Sequence, residues 1–239
     1  MTNDVQILNN GYPMPAVGLG VYKIADEQME EVVRTALDAG YRAFDTAYFY
    51  GNEKALGSAL KHSNVERDEL FITSKLWNDY QGYDQTIEYF NKSLDNLGLD
   101  YLDLFLIHWP CENDQLYIES YKALEHLYEE GKIKAIGVCN FKIHHLEKLM
   151  KETKITPQVN QSELHPYFNQ QDVQDFCDEH DIKVTAWMPL MRNKGLLDDP
   201  VITDIAHRYD KTPAQIVLRW HLAHNRIIIP KSQTPKRIK

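Results

Sequence analysis

The chain has 239 residues, with 26 Lys+Arg against 35 Asp+Glu and a formal net charge of −9. Hydrophobic residues make up 43% and charged residues 26%, ordinary values that exclude disorder, a collagen-like repeat and a disulfide scaffold. The acidic balance argues against a nucleic-acid partner, and no apolar stretch is long enough to cross a bilayer. The first residues carry no basic segment followed by an apolar core, so no signal peptide is read there. Three widely spaced cysteines, Cys111, Cys139 and Cys177, contain no CxxC pair, which suits a reducing cytoplasm and implies no metal.

Along the chain, no linker or compositional break interrupts residues 1–239, so one domain is expected. Val5-Gln6-Ile7-Leu8, a turn at Asn10-Gly11 and a return from Met14 predict a leading hairpin. Eight short runs then predict strands: Ala16–Leu19, Ala43–Asp45, Leu70–Thr73, Leu102–His108, Ile133–Val138, Gln158–Asn160, Lys183–Trp187 and Arg226–Ile229. Several are apolar throughout, as parallel strands covered on both faces are. Between them lie amphipathic helices. Asp26 is expected to cap a helix to about Asp38, with Met29, Val32, Val33, Ala36 and Leu37 on one face and Gly40 as its stop. Further helices are expected over Glu53–Leu60, Asp84–Leu97, Tyr117–Glu130, His145–Lys151, Gln171–His180, Val201–Tyr209 and Pro213–His224, the last with Thr212 as N-cap and Pro213 at N1. This alternation predicts an α/β fold of the (β/α)8 TIM-barrel type. A doubly wound sheet would need a glycine fingerprint, and Gly18-Leu19-Gly20 lacks the third glycine.

In such a barrel, polar residues at the C-terminal ends of strands read as site residues. Asp45 ends the second run, Lys75 follows the third, His108 ends the fourth, and Tyr50 lies five positions beyond Asp45. Each has an ordinary structural explanation alone: a turn cap, a snorkelling lysine, a core histidine, a packed aromatic. Together they make chemical sense. A lysine ammonium lowers a nearby phenol's pKa, a carboxylate keeps that lysine charged, and an imidazole offers a second hydrogen bond to a carbonyl oxygen.

The stretch Gly40-Tyr41-Arg42-Ala43-Phe44-Asp45-Thr46-Ala47 through Tyr50, Gly51, Asn52, Glu53 to Gly57 resembles the signature of the aldo-keto reductases. Leu106–Pro110, Ile136–Phe141, Asn160-Gln161 with His165-Pro166, and Ile229-Pro230-Lys231-Ser232 match the same family in order, with most likeness to its short-loop prokaryotic reductases of glyoxals and 2,5-diketogluconate. The resemblance implies NADPH, no metal, and reduction of a small carbonyl substrate by hydride transfer. It implies Tyr50 as general acid, tuned by Lys75, with Asp45 paired to Lys75 and His108 polarising the carbonyl. It places Cys139, Asn140 and Gln161 at the carboxamide, Trp187 against the nicotinamide, Leu190 along the cofactor, and Lys231, Ser232, Thr234 and Arg237 at the adenosine 2′-phosphate. Tyr22, Phe49, Trp77 and Trp109 would line the substrate pocket. Three departures stand out. Cys139 replaces the usual Ser, and Met188 replaces a small residue beside the cofactor's phosphate path, ahead of a covering loop at 191–195. Family members also continue past the position of Lys239, so the eighth helix and the C-terminal loop are expected to be missing, leaving apolar surface of the first and eighth strands toward water. The family expectation is a cytoplasmic monomer, with association if that face is uncovered. An NADPH-binding protein with little or no catalysis is the alternative function.

Overall fold

Short apolar runs separated by amphipathic helices build a ring of strands in the computed structural model, which describes residues 4–239. A two-stranded antiparallel hairpin comes first, β1 (Val5–Ile7) against β2 (Pro13–Pro15), with Val5 opposite Pro15. Eight parallel strands follow: β3 (Gly18–Gly20), β4 (Ala43–Asp45), β5 (Phe71–Leu76), β6 (Leu102–Ile107), β7 (Ile133–Cys139), β8 (Val159–Glu163), β9 (Lys183–Trp187) and β10 (Ile227–Ile228). They lie side by side in chain order, and a parallel bridge between Val17 and Ile228 brings the last beside the first. Ile228 N–H donates to the Ala16 carbonyl at 2.9 Å and Gly20 N–H to the Pro230 carbonyl at 3.0 Å. The expected (β/α)8 barrel is the fold observed, with the hairpin ahead of it.

The helices α1 (Asp26–Asp38), α2 (Glu53–Lys61), α3 (Tyr83–Leu97), α4 (Asp114–Glu129), α5 (Ile143–Glu152), α6 (Gln171–Glu179), α7 (Pro200–Tyr209) and α8 (Pro213–Ala223) connect the strands. Met29, Val32, Val33, Ala36 and Leu37 of α1 are buried, as their spacing predicts. Asp26 does not cap α1. Ala25 takes the N-cap position and Asp26 is the first helical residue, where its charge opposes the positive end of the helix dipole. Thr212 caps α8 as expected, accepting from Gln215 N–H, with Pro213 at N1. Two strands run further than their apolar cores suggest. Pairing with β6 carries β5 on to Leu76, so Lys75 lies within the strand, and pairing with β9 carries β8 to Glu163, past Gln161.

The expected exposure of the first and eighth strands is not observed. Leu19 is 1% exposed, Ile227 0% and Ile228 1%. A helical turn, α9 (Pro235–Ile238), follows β10, packs against α1 and buries Ile238. The remaining cover comes from α1 and α8.

Inside the ring, Leu8 and Met14 of the hairpin segment join Phe71, Leu104, Leu106 and Ile227 in one apolar cluster, so the hairpin plugs the N-terminal end of the barrel. Gly137 allows β7 to approach β8. A Cβ there would stand 2.3 Å from the Val159 carbonyl oxygen, which no side chain tolerates.

One charge breaks the apolar run of β6. Asp103, 1% exposed, accepts from Arg67 Nη2 at 2.7 Å, from Tyr12 Oη at 2.7 Å and from Ile72 N–H at 2.8 Å. Its two oxygens tie hairpin, strand and the turn before β5 into one fastening. Removing a buried partner leaves the others unpaired. Asp103→Ala is therefore expected to lower unfolding free energy by about 3–5 kcal/mol and Tyr12→Phe by about 1 kcal/mol, measured by urea denaturation. Equal, small losses would contradict the fastening.

Candidate active site

Because the strands are parallel, their C-terminal ends gather at one end of the barrel. Asp45 closes β4, Lys75 is the penultimate residue of β5, His108 follows β6, Cys139 closes β7, Gln161 lies in β8 and Trp187 closes β9. Tyr50 ends a single 3-10 turn, Tyr48–Tyr50, just beyond β4. Apart from Lys75, these residues, with Tyr22, Phe49, Trp77, Trp109, Asn140, Leu190 and Lys231, line one cavity of about 580 Å3. Every catalytic and substrate-pocket residue expected from the sequence, apart from the fully enclosed Lys75, faces it. Lys75 sits beneath Tyr50, its Nζ 5.2 Å from the phenol ring centre.

Lys75 is 0% exposed and Asp45 4%. The Lys75 ammonium donates to Asp45 Oδ1 at 2.5 Å and to the Thr46 carbonyl at 2.8 Å. Burial alone would favour the neutral amine, but Asp45 and Tyr50 overturn it and hold Lys75 above the usual lysine range. Asp45 spends its second oxygen on Gln161, which donates from Nε2 at 2.8 Å. Gln161 is thus engaged with the Asp45–Lys75 pair.

The effect on Tyr50 differs in sign from the sequence-based expectation. Lys75 does pull the phenol pKa down, but burial outweighs it, and Tyr50 is pushed up to about 12. Tyr50 therefore carries its proton throughout the neutral range. His108 packs edge-on to Tyr50 with ring centres 5.8 Å apart, and to Trp77 at 5.2 Å. Burial, aided by the Lys75 charge, lowers its pKa to about 3, so the imidazole is neutral. Burial likewise pushes the Cys139 thiol up, keeping it protonated.

The turn carrying Tyr50 is held by residues of the signature stretch to which the sequence reading assigned no role. Thr46 Oγ1 donates to Asn52 Oδ1 at 3.0 Å, and Asn52 Nδ2 donates to the Val21 carbonyl at 2.9 Å. Glu53, 2% exposed, accepts from Ser74 Oγ at 2.6 Å and from Asn96 Nδ2 at 3.0 Å. One helical turn on, Gly57 meets the end of α3 so closely that a Cβ would stand 2.2 Å from the Leu97 carbonyl oxygen. The i, i+4 spacing of Glu53 and Gly57 was the available signal, since it puts both on the inner face of α2.

Around the rim, Phe49 stacks on Trp77 with ring centres 3.8 Å apart, and Tyr22 leans over Tyr50 at 4.8 Å. Phe49 and Trp109 are half exposed and form the mouth. Asn140, at φ 63°, links the ends of β6 and β9: its Nδ2 donates to the His108 carbonyl at 3.1 Å and its Oδ1 accepts from Trp187 Nε1 at 2.8 Å. The indole plane is set by that bond. Met188, at φ 54°, lines the same cavity, as do Lys23 and Arg192. Lys231 reaches the cavity, and burial draws its pKa below the usual value. Ser232, Thr234 and Arg237 lie on the segment leading away from it, where Thr234 forms the N-cap of α9 and Gln233 bonds Gln28 at 2.8 Å.

The profile of the aldo/keto reductase family matches residues 16–239. The chain belongs to that family. It is accordingly an oxidoreductase. It is 49% identical to the glyoxal reductase of Bacillus subtilis (strain 168) over 236 residues, covering 98% of this chain and 84% of that protein. It is 48% identical to the methylglyoxal reductase DkgA of Escherichia coli (strain K12), covering 97% of this chain and 84% of that protein. Among solved structures, an aldo/keto reductase from Brucella melitensis superposes with a TM-score of 0.96 at 47% identity, covering 99% of this chain and 91% of that one. A point mutant of Gox0644 in complex with NADPH superposes with a TM-score of 0.94 at 42% identity, covering 100% of this chain and 86% of that one.

The neutral histidine has a thermodynamic consequence. His108 titrates near 6.5 in the unfolded chain and at about 3 in the fold, so between those values only the unfolded chain takes up its proton. Stability therefore falls as pH drops below 6.5. His221, lowered to about 4 by burial, adds to the same trend. Urea midpoints measured near pH 7 and pH 5 should differ less in His108→Gln than in the parent protein. An undiminished difference would mean that His108 is charged in the fold.

Proposed function

We propose that the protein reduces small aldehydes, ketones or dicarbonyls, of the methylglyoxal or diketogluconate type, to alcohols, with Tyr50 as the general acid. The observation that carries this reading is a fully buried, ion-paired Lys75 beneath a protonated Tyr50, next to a neutral His108, at one cavity. The cofactor is NADP(H). When bound, it supplies the hydride. The residues present fit it: a half-buried indole held edge-on by Asn140 offers a flat face, Gln161 Oε1 remains to accept a hydrogen bond, and Lys231 and Arg192 offer positive charge on the same cavity wall.

The protein's own residues then have separable tasks. Phe49, Trp77, Trp109 and Tyr22 exclude water and accept a small carbonyl compound. His108 is neutral, so it directs a hydrogen bond without adding a second positive charge beside Lys75. Tyr50 holds a proton at Oη for the carbonyl oxygen. As negative charge grows on that oxygen, donation leaves a phenolate, which the ammonium of Lys75 stabilises. Asp45 keeps Lys75 charged and oriented. The net upward displacement of Tyr50 keeps the acid loaded, and Lys75 limits how far it rises.

Consumption of NADPH with methylglyoxal tests the reading. Tyr50→Phe should lower kcat by about 100- to 10,000-fold while leaving NADPH binding intact. Turnover that survives Tyr50→Phe would remove Tyr50 from the role. Since Tyr50 loses its proton only near 12 and His108 gains one only near 3, kcat/KM for reduction should be level across the neutral range, with loss on the alkaline side as Tyr50 ionises.

A further inference from the structure

The opposite end of the barrel holds a second cavity, of about 370 Å3. Its walls include Gln6 of the hairpin, Gln174 and Asp178 of α6, Lys183 at the first position of β9, and His224 and Arg226 just ahead of β10. Lys183 and Trp187 are the two ends of one strand, so the barrel's length separates this cavity from the candidate active site.

Arg226 is the anomaly here. It is only 3% exposed. Its Nη2 donates to Asn169 Oδ1 at 2.8 Å, and the guanidinium carbon lies 4.4 Å from the centre of the Trp220 ring. Among the described residues, Nε and Nη1 find no hydrogen-bond partner and no carboxylate forms an ion pair with this side chain. An arginine stays charged under all ordinary conditions, so a buried one cannot escape the cost of desolvation by giving up its proton. Buried charges are accordingly paired. Burial weighs against the charged form of Arg226, and the field of Asp178 offsets it only in part. Stacking on Trp220 and one amide oxygen cover one face and one nitrogen. Nε and Nη1, on different edges of the guanidinium, remain without an acceptor, in a residue that lines a polar cavity.

The other cation of the cavity, Lys183, is held only loosely. Its Nζ lies 3.4 Å from Asp181 Oδ1, a side chain 66% exposed. Gln174 has turned its Nε2 to the Asn169 carbonyl at 2.5 Å, and Asn169 Oδ1 already serves Arg226. Against the two cations stand Asp178 on the cavity wall and Asp181 beside Lys183, and neither is bonded to Arg226.

We propose that this cavity binds a compact oxyanion group, a phosphate or a carboxylate, between Arg226 and Lys183. The unpartnered guanidinium N–H groups suit oxygens of such a group, and the anion supplies a counter-charge to Arg226. The volume admits the group with a small carbon frame, and the site lies at the end of the barrel away from carbonyl reduction.

Binding is measured by calorimetry with inorganic phosphate and with citrate, at ionic strength matched by sodium chloride. NADP+ is kept saturating, so that the cofactor's own phosphate seats are filled. The expected result is saturable binding of one anion or both, weakened about tenfold or more by Arg226→Gln and by Lys183→Gln. Phosphate alone, or citrate alone, identifies the source of the oxyanion. Asp178→Asn should tighten binding, because it removes the opposing charge. Lys183 lies at the surface, so Lys183→Gln decides the matter if Arg226→Gln fails to fold. Absence of saturable binding by both anions would overturn the proposal, as would binding that both variants retain. So would a thermal destabilisation of Asp178→Asn in chloride as large as that of Arg226→Gln, because Asp178 would then be the counter-ion of Arg226.

Discussion

A lysine ammonium with no exposed surface lies at the C-terminal end of the barrel, and the surrounding structure answers to it. Lys75 has lost its hydration, a cost that only a well-placed counter-charge and further acceptors offset. Asp45 Oδ1 and the Thr46 carbonyl supply them from the neighbouring strand end. Asp45 in turn needs a second donor, which Gln161 brings from the far side of the ring, 116 positions along the chain. The same charge helps to keep His108 neutral and restrains the rise of Tyr50. Burial decides the protonation of both aromatic neighbours, and the one buried cation draws the pKa of each downward. Parallel strands make this possible, because they deliver four different segments to one end of the barrel.

Tyr50 is not on a strand, so its position has to be secured otherwise. The device is α2, whose first residue and first inner turn are committed elsewhere: Glu53 to Ser74 and Asn96, Gly57 to the end of α3. Asn52 and Thr46 close the turn from the other side. Ser74 and Lys75 are adjacent in β5 and point to opposite faces of it. The strand that carries the cation on its inner face therefore anchors, through its outer face, the helix that follows the acid. The spacing between ammonium and phenol is consequently a property of strand and helix packing rather than of a loop.

The N-terminal end of the barrel shows the same rule obeyed once and left open once. Asp103 is a buried charge with three donors, and it fastens the plugging hairpin to β6 and β5. Arg226 is a buried charge with one neutral acceptor and an aromatic face. Physical chemistry expects both to be compensated, and the contrast gives the second cavity its meaning.

Much of this protein was legible in the sequence. Apolar runs and helical spacing record local burial, so eight strands, the intervening helices and the hairpin could be read off, and parallel topology put Asp45, Lys75, His108 and Tyr50 together before any distance was known. The ends of β5 and β8 were misplaced because polar residues, Ser74-Lys75 in β5 and Gln161–Glu163 in β8, remain paired with a neighbouring strand. The non-local partners were not legible at all. That Gln161 serves Asp45, that Asn140 holds Trp187, that Tyr50 is displaced upward rather than downward, and that Arg226 is left without a counter-ion depend on which distant side chains face each other and how much water is excluded between them. Periodicity determines which face of an element turns inward. Only the closed barrel decides what each buried polar atom meets there.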